Sequence, residues 1–291
     1  MMVDPVARFR RFSRAVTAEV GALDSSFLGR GRPLGSARVL NAIGRGREDV
    51  AGIRDYLGLD SGLMSRLLRG LEAEGLVETV AHAGDARRRV VVLTKAGRAE
   101  FQAYEELSDA RAAAVLSRHP HPQALLSAMD LVASAFGRDR IILKEMDPQG
   151  EEARYCLGEY YAELTRRFEE GFEVSRSRDP DAKDMRRPRG AFLVALSDGL
   201  PLGCAGLKGS GGQVAEVKRV WVSPAARGLG LAHRLMAAVE EAARSLKITT
   251  LRLDTNRALP EAISLYRNSG WTEIDRFNDD PYPDFFFEKR L

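Results

Sequence analysis

Residues 216–243 read EVKRVWVSPAARGLGLAHRLMAAVEEAA, and the rest of the chain is understood from this stretch. Val217, Val220 and Val222 with Trp221 form a β-branched and aromatic run that favours a strand, and Pro224 ends it. Arg227-Gly228-Leu229-Gly230-Leu231-Ala232 comes next, and then Leu235, Val239, Ala242 and Leu246 recur on one face of an amphipathic helix. Strand, glycine loop and helix together make an anion cradle. Glycine lets the backbone approach a ligand closely, and the open N–H groups at a helix start point at negative charge. The stretch lacks the Lys-Ser/Thr of a triphosphate-binding loop and the three-glycine spacing of a dinucleotide site.

What remains is Arg227-x-x-Gly230-x-Ala232 after a strand reading AEVKRVWVSP, which resembles the acetyl-coenzyme A signature of the GNAT N-acetyltransferases. Phe192–Leu196 and Pro201–Leu207 read as a strand pair turning at Ser197-Asp198-Gly199. With Thr250–Asp254 and a last strand at Phe285–Leu291, they follow the family's order of elements. Ala262–Trp271, AISLYRNSGW, resembles the family's A-x-x-L-Y-x-x-x-G-[FW]. Asn256 stands farther from that alanine than in the common form of the motif. The resemblance implies an α/β fold, a mixed central sheet flanked by helices, with acetyl-CoA as co-substrate. It implies that Arg227, Gly228, Leu229, Gly230, Leu231 and Ala232 hold the pyrophosphate, and that the main chain of Val220, Trp221 and Val222 holds the pantetheine arm. Asn256 would touch the coenzyme. Glu216 falls at the position of a general base, and Tyr266 at that of the acid that protonates the departing thiolate. Read without the family, Glu216 is equally an ion-pair partner for Lys218 or Arg219, and Tyr266 a packed helix tyrosine. The acceptor is an amine, small molecule or protein, that no motif names.

The first half of the chain carries a different pattern. Residues 5–20, 35–44 and 48–57 read as helices, followed by Asp60–Glu74, DSGLMSRLLRGLEAE. Leu63, Met64, Leu67, Leu68 and Leu71 share one face, and Ser61, Ser65, Arg66 and Arg69 fall opposite. Asp60 or Ser61 suits the N-cap. Leu76–Val80 and Arg89–Leu93 read as strands joined by AHAGDARR, a hairpin whose tip holds Asp85, Arg87 and Arg88. A Ser/Arg face alone also describes a solvated helix. The whole run L-x-x-D-x-x-x-x-S-R-L-L-R-x-L-E-x-x-G-L-V, then D-x-R-x-x-x-x-x-L-T, from Leu57 to Thr94, resembles the winged helix-turn-helix of the MarR family. That resemblance implies double-stranded DNA as a partner. The Ser61–Arg69 helix would lie in the major groove and Arg87, with Arg88 beside it, in the minor groove. It also implies a homodimer through the N-terminal domain.

A chain of 291 residues has room for two ordinary domains. We expect a mainly α winged helix-turn-helix domain for DNA binding and dimerisation at 1–137, and a GNAT-like acetyltransferase domain at 138–291. Net charge of +3 does not announce nucleic acid by itself. No apolar run approaches the roughly 20 residues that span a bilayer, so no membrane association is expected. Cys156 and Cys204 lack metal-ligand spacing and favour a reduced, cytoplasmic setting. No metal is expected, and His119, His121 and His233 receive no role. Residues 151–169 read as a helix with Tyr160, Tyr161 and Phe168 in its core face, and Glu173–Arg189 as a polar loop. The expectation is a fused transcriptional regulator and N-acetyltransferase. The alternative is a regulator whose GNAT domain senses acyl-coenzyme A without turnover.

Overall fold

The structure, a computed structural model, describes residues 4–82, 85–169, 171–176, 182 and 184–291, without side chains for residues 82, 85–89 and 176. It divides into two compact units, Met1–Pro122 and Gln123–Leu291. The border expected near residue 137 falls instead after Pro122, so the helix Pro122–Phe136, all but its first residue, goes with the second unit.

In the first unit, α1 (Pro5–Glu19) precedes α2 (Leu34–Gly44), α3 (Val50–Leu57) and α4 (Ser61–Ala73). The hairpin β1 (Val77–His82) and β2 (Asp85–Leu93) and the long α5 (Lys95–Ser117) complete it. Asp60 caps α4 by accepting from the Leu63 N–H at 2.8 Å. Val39, Leu40, Ile53, Met64, Leu71 and Val91 build one core, which explains why Met64 and Leu71 are buried and the opposite face of α4 is not. Thr94 starts α5: its hydroxyl accepts from Gly97 N–H and donates to the carbonyl of Gly75 at 2.7 Å. Glu100, buried on α5, accepts from Arg30 and Arg32. The Arg30 guanidinium, with Arg32 beside it, holds that carboxyl below its usual range. The chain before α2 is thereby tied to α5.

The second unit contains α6 (Pro122–Phe136), β3 (Ile142–Glu145), α7 (Glu151–Arg167), β4 (Ala191–Ser197), β5 (Leu200–Gly209) and β6 (Val214–Val222). Then follow α8 (Leu231–Ser245), β7 (Thr250–Thr255), α9 (Pro260–Arg267), β8 (Thr272–Ile274) and β9 (Phe285–Arg290). The sheet order is β3-β4-β5-β6-β7-β9-β8. Neighbours are antiparallel except β6 and β7. The apolar stripe of α8, Leu231, Leu235, Met236, Val239 and Ala243, covers one face of the sheet. Ala153, Cys156 and Leu157 of α7 cover Phe192, Val194 and Cys204 on the other. With helices on both faces, β4 is buried along most of its length, which is why its sequence is an unbroken apolar run.

The segment read as a polar loop, 173–189, is partly outside the described residues, but Ala182 and Met185 are fully buried in the α7 side of the core. Its arginines pair locally, Arg186 with Asp147, Arg187 with Glu145 and Arg189 with Asp184. β8 has no counterpart in the sequence reading: three residues are too few to show a period.

In the first unit, a Cβ at Gly97 would lie 1.8 Å from the carbonyl oxygen of Leu76. We expect Gly97→Ala to cost about 1–3 kcal/mol by forcing α5 off the hairpin. Denaturant unfolding followed on the first unit's transition measures it, and an unchanged midpoint would contradict this packing.

Candidate active site

The site begins where two strands part. β6 and β7 pair through Val214↔Thr250, Ala215↔Leu251 and Glu216↔Arg252 and no further, although β6 runs on to Val222 and β7 to Thr255. Arg219 has φ +59°, and the register of β6 on β5 shifts between Cys204 and Gly206. A bulge of this kind bends a strand and increases its twist. Beyond it, the backbone of Val220 to Val222 has its β7 side open to a cavity of about 510 Å3.

That cavity is lined by Val220, Trp221, Val222, Arg227, Gly228, Gly230, Leu231, Ala232 and Tyr266 among others. Gly228 and Gly230 have φ of +75° and +77°, a conformation that costs other residues roughly 1–2 kcal/mol. Gly230 is the N-cap of α8 and offers no side-chain acceptor, so among the described residues the first N–H groups of α8 are left for an anion. The Arg227 side chain serves the fold: Nε donates to the carbonyl of Val222 at 3.1 Å and Nη2 to Glu163 Oε2 at 2.6 Å. Glu163, buried on α7, also accepts from Trp221 Nε1 at 3.0 Å and Arg167 Nη1 at 3.1 Å. Arg167 in turn grips Glu261 on α9. This chain of charges fixes the strand end, the glycine loop and the two helices around the cavity. An apolar slot with an open strand edge along it and free helix N–H groups at one end fits a long thioester bearing a pyrophosphate.

A second cavity of about 90 Å3 adjoins the first, and Tyr160, Leu164, Val220, Leu259, Ala262 and Tyr266 line both. The far side of the second is formed by Phe168, Phe172, Arg219, Asp254, Asn256, Asp280 and Tyr282. Tyr266 is 5% exposed and packs against Trp271 and Phe287. Burial pushes its phenol upward, and the nearby Asp254 carboxylate adds to the shift. The group therefore keeps its proton well above neutral pH.

Glu216 does not join this junction. It lines neither of the two cavities. Its carboxylate lies 3.2 Å from Lys218 Nζ, on the part of β6 that is still hydrogen-bonded to β7. Its surroundings are a third cavity with Lys208, Ser210 and Arg252. Asn256 also differs from its expected place. Nδ2 donates to the carbonyl of Tyr282 at 2.6 Å and Oδ1 accepts from Ala258 N–H, and it borders the second cavity rather than the first. Leu229 turns into the core beneath the loop. His233, given no role, lines the larger cavity. Glu163 and Asp254 were missed, because a single carboxylate on a helix or strand carries no spacing signal. Arg138 was missed for the same reason; its guanidinium lies 4.0 Å from where a Gly230 Cβ would be.

In the first unit, Ser61, Ser65, Arg66 and Arg69 are exposed, opposite the buried Met64 and Leu71. The side chains of Asp85, Arg87 and Arg88 lie outside the described residues.

Residues 157–271 match the model of the Acetyltransferase (GNAT) family, and residues 30–88 that of the MarR family. An Azospirillum brasilense protein named IAA acetyltransferase is 35% identical over 116 residues, covering 38% of this chain and 74% of its own length. An uncharacterized N-acetyltransferase of Schizosaccharomyces pombe is 32% identical over 38% of this chain and 70% of its own. One of Escherichia coli K12 is 32% identical over 37% and 66%. The parted strands, the glycine loop and these relatives agree: the chain belongs to the GNAT family of N-acetyltransferases, with a MarR-family domain preceding the transferase.

Proposed function

We propose that the second unit transfers an acetyl group from acetyl-CoA to an amine across the junction of its two cavities. The observation that carries this reading is Tyr266, buried yet lining both cavities. The coenzyme supplies a thioester whose carbonyl carbon bonds to the amine nitrogen as the C–S bond breaks and the nitrogen's surplus proton leaves to solvent. The backbone N–H groups of Val220 to Val222 hold the arm and polarise the carbonyl oxygen. Gly228, Gly230, Leu231 and Ala232 cradle the pyrophosphate through main-chain donors, with the α8 dipole behind them. Tyr266 keeps its proton at Oη until the thiolate needs it. Glu216 lines neither of the two cavities, and we assign it no base role.

The first unit is read as a duplex-DNA binder that makes the chain a regulator as well as an enzyme. The exposed Ser/Arg face of α4 supports this, and Arg87 and Arg88 enter it from the family resemblance alone. Val6, Phe9, Phe12 and Val16 of α1 are 39–58% exposed, an apolar stripe suited to a homodimer through this unit. The division of labour then follows the two units, in a cytoplasmic protein. No helix is long and apolar enough to cross a membrane among the described residues.

Tyr266→Phe is expected to lower kcat about 100-fold or more, with the coenzyme Kd within twofold. Free-thiol release reads the first and calorimetry the second; an unchanged kcat would remove Tyr266 from the chemistry. A phenol raised above its ordinary value of about 10 loses its proton only at still higher pH. The wild-type kcat should therefore show no falling limb between pH 7 and about pH 10, and a fall within that range would contradict the assignment. Arg66→Ala should weaken binding to duplex DNA across sequences and reduce the salt slope by about 1. Fluorescence anisotropy at several salt concentrations measures it, and an unaltered slope would place Arg66 away from phosphate.

A further inference from the structure

Two phenols stand where the cavities meet, and acetyl transfer as described above employs one. Of the residues that line both cavities, Leu164, Val220, Leu259 and Ala262 are apolar; among the described residues only Tyr160 and Tyr266 bring a polar side chain. Tyr160 lies on α7 and Tyr266 on α9, so they reach the junction from different helices. Tyr160 and Leu164 are one turn apart on one face of α7. Between them, Glu163 pins the helix to the open end of β6 by accepting from Trp221 Nε1 at 3.0 Å. The next residue, Tyr161, packs beside Tyr160 with ring centroids 5.6 Å apart. Its hydroxyl accepts from Arg219 Nη1 at 2.5 Å, and it lines neither cavity. The Tyr160 hydroxyl, by contrast, bonds no protein group among the described residues. It is not one of the polar atoms sealed away without a partner, so it opens onto the cavities it lines.

Burial pushes the Tyr160 phenol up; the Arg219 guanidinium opposes this, and Tyr266 and Asp254 reinforce it. Tyr160 is therefore a hydrogen-bond donor at neutral pH and not a base. An O–H aimed at the amine would occupy the lone pair that attacks. Acyl transfer, however, develops negative charge at two atoms: on the carbonyl oxygen as the C–N bond forms, and on sulfur as the C–S bond breaks. Tyr266 meets the sulfur. The strand N–H groups meet the oxygen, which has a second lone pair for another donor.

Resting on the acetyl-transfer reading above, we propose that Tyr160 is the second donor to the thioester oxygen. Its O–H bonds to that oxygen as the amine adds and stabilises the charge of the tetrahedral intermediate. It keeps its own proton when the carbonyl re-forms and the thiolate departs with the proton of Tyr266. The nitrogen's surplus proton goes to solvent, so Tyr160 neither gains nor loses one.

The full chain is bound to acetyl-CoA labelled with carbon-13 at the carbonyl, and the carbonyl stretch is read by isotope-edited infrared difference spectroscopy. We expect the band of the bound thioester to lie below that of the free coenzyme. Tyr160→Phe should lose part of that shift while the coenzyme Kd stays within twofold; Tyr161→Phe and Tyr266→Phe should leave the band in place. With hydroxylamine as a small nucleophile, Tyr160→Phe should lower kcat for thiol release about 100-fold, with the hydroxylamine KM within twofold. An unmoved band in Tyr160→Phe, a band that moves in Tyr266→Phe instead, or an effect confined to the hydroxylamine KM would overturn the proposal. Loss of coenzyme binding in Tyr160→Phe would make the residue part of the packing and overturn it as well. Failure of the wild type to bind acetyl-CoA, or to release thiol to hydroxylamine, would instead overturn the acetyl-transfer reading, and this inference with it.

Discussion

Strands β6 and β7 hold together through Glu216 and Arg252 and then separate, and the functional half of the molecule depends on that separation. A continuous parallel pair would satisfy both strand edges and leave no place for an extended ligand. The departure is enforced from several sides. Arg219 takes a backbone conformation unusual for a residue with a side chain, and the α9 helix, with Tyr266 and Ile263, packs into the core beside the gap. The open backbone that results lines the cavity, where an extended ligand could complete its hydrogen bonds.

Charge does structural work around this gap and chemical work inside it. Arg227, at the mouth of the glycine loop, is committed to Glu163 and Val222, so the loop presents its main chain to the cavity and not a mobile guanidinium. Lys218 is similarly committed between Glu216 and Asp254. What is left over is a phenol kept protonated by burial.

Much of this was legible in the sequence because it rests on local rules. The β-branched run of β6, the left-handed glycines and the apolar face of α8 are each written within a few neighbouring residues. So is the Asp60 cap ahead of the two-faced α4. The helix that carries Tyr266 was legible through its motif. Glu216 was misplaced because a position along a strand does not say where that strand loses its partner. Asn256 was misplaced because the loop around Tyr282, 26 residues later, captures its side chain. Asp254, Asp280 and Glu163 were invisible for a related reason: they are brought together by sheet order and by α7 crossing the sheet, relations that no spacing along the chain records.

The most direct measurement is amide hydrogen exchange of the whole protein with and without acetyl-CoA. If the parted strand edge is where the coenzyme lies, the amides of Val220 to Val222 and of the first turn of α8 should slow by an order of magnitude or more. Val214 to Glu216, already paired to β7, should change little. Protection confined to other segments, or none on β6 despite saturating binding, would contradict the claim that the strand separation builds the site.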